Sequence, residues 1–213
     1  MNTSVLRSSV IILILFISFQ TVFSQRMEYY ACLTFWESPY ITFKGACPIS
    51  EAVARDRIHL RLDYDSLNRV IASHIKLGDN YKEFEGRFGS ISYHAPLTKV
   101  NYSSNKEIHT FYNKFGHRVS VMGNVYSQTY LIDDVGRKVK LLFHDEDGNE
   151  TIDLFGVKSY EWKHNLDGSI IEIRKDLNGQ IVPLRKSFNF LLTKTTLNDQ
   201  GYVGTLQNVD SLG

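Results

Sequence analysis

The residues best equipped for chemistry are the carboxylates, the histidines and two cysteines. Asp145, Asp147, Asn149 and Asp153 crowd acidic and amide oxygens into a short stretch, the donor type that hard cations such as calcium select. Their spacing departs from an EF-hand. With Gly148 as the invariant sixth residue, the first ligand would be Phe143 and the twelfth Leu154, and neither binds a cation, so the reading set against calcium is a solvated hairpin turn. The histidines, His59, His74, His94, His109, His117, His144 and His164, show no metal-ligand spacing along one strand face. His144 and His164 each stand directly before an Asp or Asn that opens a turn, which marks them as repeat positions with a cross-strand or solvent-facing role. Serine nucleophile motifs, a phosphate-cradling glycine loop and the zinc metalloprotease helix are absent from the sequence. Carboxylate pairs for glycoside chemistry remain open, because their approach depends on the fold.

Cys32 and Cys47 are the two cysteines. A bond between them closes a loop of about 15 residues, contributing about 3 kcal/mol in the chain-entropy model. Two unrelated buried thiols are the plainer alternative. Tyr160 and Trp162 alternate with Glu161 and Lys163, and Tyr126, Tyr130 and Phe143 fall on neighbouring predicted strands. Such aromatics suit a platform for sugar rings or peptide side chains; the competing and weightier reading is that they cover the core face of a sheet.

The elements that must position these groups are strands. Ile58, Leu60, Leu62 and Tyr64 alternate with His59, Arg61, Asp63 and Asp65, the period-two pattern of a half-buried strand. A four-residue turn, Asp or Asn first and Gly or Asn fourth, then recurs to the end of the chain. Its copies are Asp65 to Asn68, Asn113 to Gly116, Asp133 to Gly136, Asp145 to Gly148, Asn165 to Gly168, Asp176 to Gly179, Asn198 to Gly201 and Asp210 to Gly213. The first side chain accepts a local hydrogen bond, and the fourth residue adopts positive φ, closing a type I hairpin with a G1 bulge. From Gly116 onward these turns alternate between intervals of roughly 20 and roughly 12 residues, so a double unit of about 32 residues repeats. Weaker turn signals at Asn80 and Asn105 carry the alternation backward. The expected fold is all-β: an extended antiparallel meander of hairpins in a single twisted or curled sheet over 57–213. Residues 25–56 read as an irregular segment whose one short helix starts after Ser50 as N-cap.

At these residues the sequence resembles the YD-repeat, or RHS-type, family of exported bacterial proteins, in which tyrosine-aspartate hairpins follow one another. Leu62-Asp63-Tyr64-Asp65-Ser66-Leu67-Asn68-Arg69-Val70 matches the family unit, with Asn68 where a Gly is usual. Looser versions are Phe111-Tyr112-Asn113-Lys114-Phe115-Gly116-His117 and Phe143-His144-Asp145-Glu146-Asp147-Gly148-Asn149. The resemblance runs from about Ile58 to the C-terminus and implies a fold rather than an activity. A true Tyr-Asp pair occurs once, and the chain is far too short to enclose a toxin segment as large RHS proteins are thought to do.

Met1 to Arg7 is a short basic region, Val10 to Phe19 is almost continuously apolar, and Val22-Phe23-Ser24 supplies a cleavage site. Residues 1–24 therefore read as a signal peptide, leaving no membrane span in the mature chain and placing it in the periplasm or outside the cell. Lys and Arg number 24 against 23 Asp and Glu, which gives no excess of positive charge to draw the chain to nucleic acid. No cofactor motif is present. The expected partners are an envelope protein or glycan. Because Asp210 to Gly213 is a turn without a returning strand, either the chain is truncated or its last strand is an exposed edge open to self-association. A non-catalytic structural or interaction module is the favoured function, with a secreted glycan-cleaving enzyme as the alternative.

Overall fold

The computed structural model describes residues 26–34, 37–83, 94–184 and 188–210. The expected signal peptide and the last residues of the Asp210 turn lie outside them. A single antiparallel sheet of 14 strands accounts for nearly all regular structure. In chain order these are β1 (Arg26–Leu33), β2 (Gly45–Ile49), β3 (Ile58–Tyr64), β4 (Val70–Leu77), β5 (Asn80–Tyr81), β6 (Leu97–Tyr102) and β7 (Lys106–Tyr112). The second half comprises β8 (Ser127–Ile132), β9 (Lys138–His144), β10 (Glu150–Thr151), β11 (Ser159–His164), β12 (Ile170–Lys175), β13 (Leu192–Leu197) and β14 (Val203–Val209). From β3 onward the main strands pair with their sequence neighbours, while β5 and β10 attach to β4 and β9 alone. Among the described residues the sheet does not close on itself, and β2 and β14 are its edges.

The segment read as irregular is instead built into the sheet. β1 lies between β2 and β3, pairing Tyr29 with Ile49 on one side and with Arg61 on the other. Its residues are mostly half-buried on both faces, which removes the alternation that marks a one-sided strand. The helix is where its cap placed it: α1 (Glu51–Ala54) follows Ser50, whose side chain accepts from the Val53 N–H. That short helix carries the chain across the end of the sheet so that β3 can pair with β1 on the side away from β2.

The turn chemistry explains both the hairpins and their rhythm. At Asp133 the Oδ1 atom accepts from the N–H of Val135 and of Arg137, while the Gly136 N–H donates to the Asp133 carbonyl. The same pattern recurs at Asp65, Asn113, Asp176 and Asn198. The fourth residue takes positive φ at Asn68, Gly116, Gly136, Gly148, Gly168, Gly179 and Gly201, and bulges break the register beside three of the turns. Short connections (65–69, 103–105, 133–137, 165–169, 198–202) alternate with long ones that return across the core. The long ones after β7, β9 and β12 begin with the same turn: Arg118 bridges back to Tyr112, Ile181 to Lys175, and the Gly148 N–H donates to the Asp145 carbonyl. A ninth copy, Asp153 to Gly156, sits inside a stretch that otherwise reads as a loop; Asp153 accepts from the N–H groups of Phe155 and Val157. It conforms to the same Asp-x-x-Gly pattern and was there to be read.

No atom lies within 4 Å of where a Cβ would project from Gly136. A Gly136→Ala variant therefore places its Cβ in open space and isolates the backbone cost of a side chain at φ 85°, about 1–2 kcal/mol. Urea unfolding measures it, and an unchanged midpoint would refute the turn assignment.

One face of the sheet carries most of the core, and a smaller cluster of Ile171, Ile173 and Leu192 lies on the other. Leu60, Leu62 and Tyr64 pack with Leu33 at one end. Phe111, Tyr130, Leu141, Phe143, Tyr160 and Trp162 form the main cluster further along. The long connections cover the main core face, contributing Val121, Val125 and Val157 to the same cluster. The β1–β2 connection reaches furthest. Tyr40 packs on the main cluster, and Lys44 donates to the Gln200 carbonyl at 2.5 Å, beside the opposite edge of the sheet.

Candidate functional site

The core face brings together residues far apart in sequence. Register places Glu107 opposite Tyr130, Tyr130 opposite Leu141, Leu141 opposite Tyr160, and Tyr160 opposite Arg174. Tyr160 is 0% and Trp162 4% exposed. Tyr130, Phe143, Tyr160 and Trp162 thus cover the sheet's own core and are closed to an incoming sugar ring, while Tyr126 stays half-buried beneath Arg118. Trp162 stacks over Tyr130 at 6.0 Å and meets Tyr40 edge-on at 5.3 Å.

Two carboxylates lie within this interior, each tied to a cation. Glu172 accepts from the Trp162 indole N–H at 2.9 Å, from the Ser38 hydroxyl, and from Arg174 Nη1 at 2.6 Å. Arg174, itself 0% exposed, also donates to Thr193 Oγ1 and to the carbonyls of Phe190 and Leu191. Glu107 contacts His109 Nε2 at 2.6 Å and Lys138 Nζ at 2.9 Å. Lys138 lies over the Tyr130 ring, 3.9 Å from its centroid. Burial of this kind is tolerated because the charges are paired and hydrogen-bonded.

These groups make stability depend on acid in two stages. Burial, reinforced by the nearby His109, pulls the His94 imidazole down to about 4. Burial pushes the Glu107 carboxyl upward, but Lys138 and His109 outweigh it and hold the group at about 2. Both folded values lie below the unfolded ones, so each contribution is full above the unfolded pKa and disappears as pH falls toward the folded one. The windows run from about 6.5 down to about 4 for His94, and from about 4.3 down to about 2 for Glu107. The urea midpoint is expected to fall in both windows. A midpoint flat from pH 7 to pH 4 would contradict a neutral His94, whose ring is half-buried with Nδ1 out of solvent.

The opposite face holds the remaining chemistry. On β3 and β4, His74 Nε2 approaches Asp63 Oδ2 at 2.9 Å and its Nδ1 approaches the Tyr81 hydroxyl at 2.9 Å. Arg61 pairs with the same Asp63 at 2.9 Å. Arg61 Nη2 also approaches His74 Nε2 at 3.1 Å, so that nitrogen faces both a guanidinium and a carboxylate. This Asp–His–Tyr chain was not legible in the sequence, since the turn after β4 decides that Tyr81 folds back beside His74. It does not make a nucleophile: burial pushes the Tyr81 hydroxyl up. Burial likewise pushes Asp63 upward, but His74 and Arg61 outweigh it and hold the carboxyl below its usual range.

Further along that face, β8, β9, β11 and the turn after β12 line a trough of about 430 Å³. Leu131 and Leu142 lie beside Lys140, Lys158 and Lys175, with Glu150 and Glu161 among them. Glu161 is shared by Lys175 at 2.7 Å and Lys140 at 3.4 Å, and Glu150 pairs with Lys158 at 2.9 Å. The hydrogen bond from Lys158 holds Glu150 below the usual carboxylate range. For Glu161, burial acts upward, but Lys175 and Lys140 prevail and lower it. Neither carboxyl is a proton donor near neutrality, so the trough lacks the raised acid that glycoside cleavage needs.

The remaining expected site residues fall as follows. The oxygens of Asp145 and Asp153 are engaged by turn N–H groups. Among the described residues no group of three or more His, Cys, Asp or Glu is placed to hold a metal ion. His164 contacts the Lys138 carbonyl at 2.8 Å, a cross-strand role. Cys32 and Cys47 are present as thiols in this structure. The fold brings them together. Cys32 pairs with Ala46 across β1 and β2, Cys47 sits at φ 54°, and burial followed by the neighbouring Cys47 raises the Cys32 thiol. Treatment of the folded protein with oxidised glutathione is expected to join the pair. Two alkylatable thiols after that treatment would rule the bond out.

No protein-family model matches the chain, and comparison with curated proteins and with solved structures gives no match either. The class of protein is therefore defined by its own geometry: a single open antiparallel sheet made of hairpins with a common turn. Among the described residues no helix is long and apolar enough to cross a membrane.

Proposed function

We propose that this is an exported, non-catalytic interaction module of the bacterial cell envelope that binds a protein partner through the outer face and free edge of its sheet. The observation that carries this reading is the trough between β8 and β12, where both carboxylates are neutralised by lysines. A surface of alternating charge above leucines suits recognition of a polar protein surface. A glycan partner fits less well, because Tyr160 and Trp162, the pair best placed to stack on sugar rings, are inside. Support for export is the apolar leader followed by small residues; support for the YD-repeat likeness is the Asp/Asn-x-x-Gly turn closing successive strands. The last strand, β14, has a neighbour on one side alone among the described residues, and edge pairing with a second copy belongs to the same reading.

The test is capture from envelope extracts by the immobilised mature chain. A specific protein retained by the parent chain, and lost with Lys140→Glu combined with Lys175→Glu, supports the proposal. Equal retention by the charge-reversed variant would defeat it.

A further inference from the structure

The two edges of the sheet are chemically unlike. β2 reads Gly45-Ala46-Cys47-Pro48-Ile49; Pro48 has no N–H to give, and Cys47 stands at positive φ. Both features block addition of a strand. β14 reads Val203-Gly204-Thr205-Leu206-Gln207-Asn208-Val209, with neither a charge nor a proline among the devices that usually protect an edge. Its five central residues are exposed.

The sequence of β14 also reads nearly alike in both directions. Set antiparallel to itself about Leu206, it places Leu206 opposite Leu206 and Thr205 opposite Gln207. Gly204 meets Asn208, and Val203 meets Val209. Apolar residues then face apolar ones at the centre and both ends, polar or small residues face each other between them, and no like charges meet. β13 already holds the inner side of β14 in register, from Leu192 opposite Val209 to Leu197 opposite Val203, so the strand is presented as a formed template. Leu206 is 36% exposed and lies at the midpoint.

We propose that β14 pairs antiparallel with β14 of a second copy, giving a closed two-fold dimer in which the sheet runs continuously through both chains. The closure follows from the difference between the edges. A β14-to-β2 contact would be head-to-tail and would propagate into a filament, whereas a β14-to-β14 contact is isologous and uses up both open edges at once. This inference rests on the interaction-module reading and assigns its free edge to a second copy, leaving the trough on the outer face for the protein partner.

Sedimentation equilibrium of the mature chain tests it, with Leu206→Lys and Thr205→Pro as edge variants whose folding is checked by circular dichroism and urea midpoint. The expected result is twice the chain mass for the parent at tens of micromolar and the single-chain mass for both folded variants. In Leu206→Lys two ammonium groups would face each other across the axis. A parent protein that stays at the single-chain mass overturns the proposal, as does a concentration-dependent series of larger species, which would indicate head-to-tail growth. The Lys140 and Lys175 variants should leave the mass unchanged, so loss of the dimer and loss of partner capture are read separately.

Discussion

Replacing Arg174 with Met is expected to destabilise the protein by about 3–5 kcal/mol, the cost of leaving a buried carboxylate without its cation. Glu172 is 2% exposed, and without Arg174 its remaining donors are the Trp162 indole and the Ser38 hydroxyl. Water cannot replace the guanidinium without opening the packing of β12 against β13. The carbonyls of Phe190 and Leu191 would lose a shared donor as well. Urea unfolding followed by circular dichroism gives the number. The double variant Arg174→Met with Glu172→Met should recover a large part of the loss, because it removes both charges together. If the double variant is as unstable as the sum of the singles, the pair is not the coupled unit described here.

A second large effect is expected at Trp162. Truncation to Ala should cost about 3–5 kcal/mol, as for other large aromatics in a packed core. The indole touches Tyr40, Tyr130 and Tyr160, and through Tyr40 it anchors the β1–β2 connection to the far part of the sheet. Loss of the side chain should therefore loosen residues 37–44 as well as β11, which hydrogen exchange would register as faster exchange in both segments. A surface platform would behave otherwise: its truncation would weaken ligand capture and leave the unfolding midpoint within about 0.5 kcal/mol of the parent.

What could be read in the sequence was whatever is decided locally. Asp133 and Gly136 specify their turn within five residues, and the same four-residue grammar at Asp65, Asn113, Asp145, Asn165, Asp176 and Asn198 sets the ends of successive strands. The alternation of long and short intervals has a physical cause that only the fold displays: short connections close hairpins, and long ones return over the core face. β1 was illegible because a strand half-covered on both sides has no period-two signature, and β2 because it is five residues long and carries Pro48 and a positive-φ Cys47. The interior pairs were illegible for a different reason. Ser38 reaches Glu172, and Pro39 receives the Tyr130 hydroxyl, through a connection whose path depends on the curl of the whole sheet. The role of Tyr160 and Trp162 hung on the same point, since alternation along β11 says that they share a face with each other but not whether other chain covers that face.

The account stands or falls on whether the exposed surface binds without reacting. Incubating the mature chain with a panel of bacterial envelope glycans and following new reducing ends tests this most directly. Because Glu150 and Glu161 are held ionised by Lys158, Lys175 and Lys140, no new reducing ends are predicted at neutral pH. Their appearance in the parent protein, and disappearance with Glu161→Gln, would show that the trough is an active site and contradict the account.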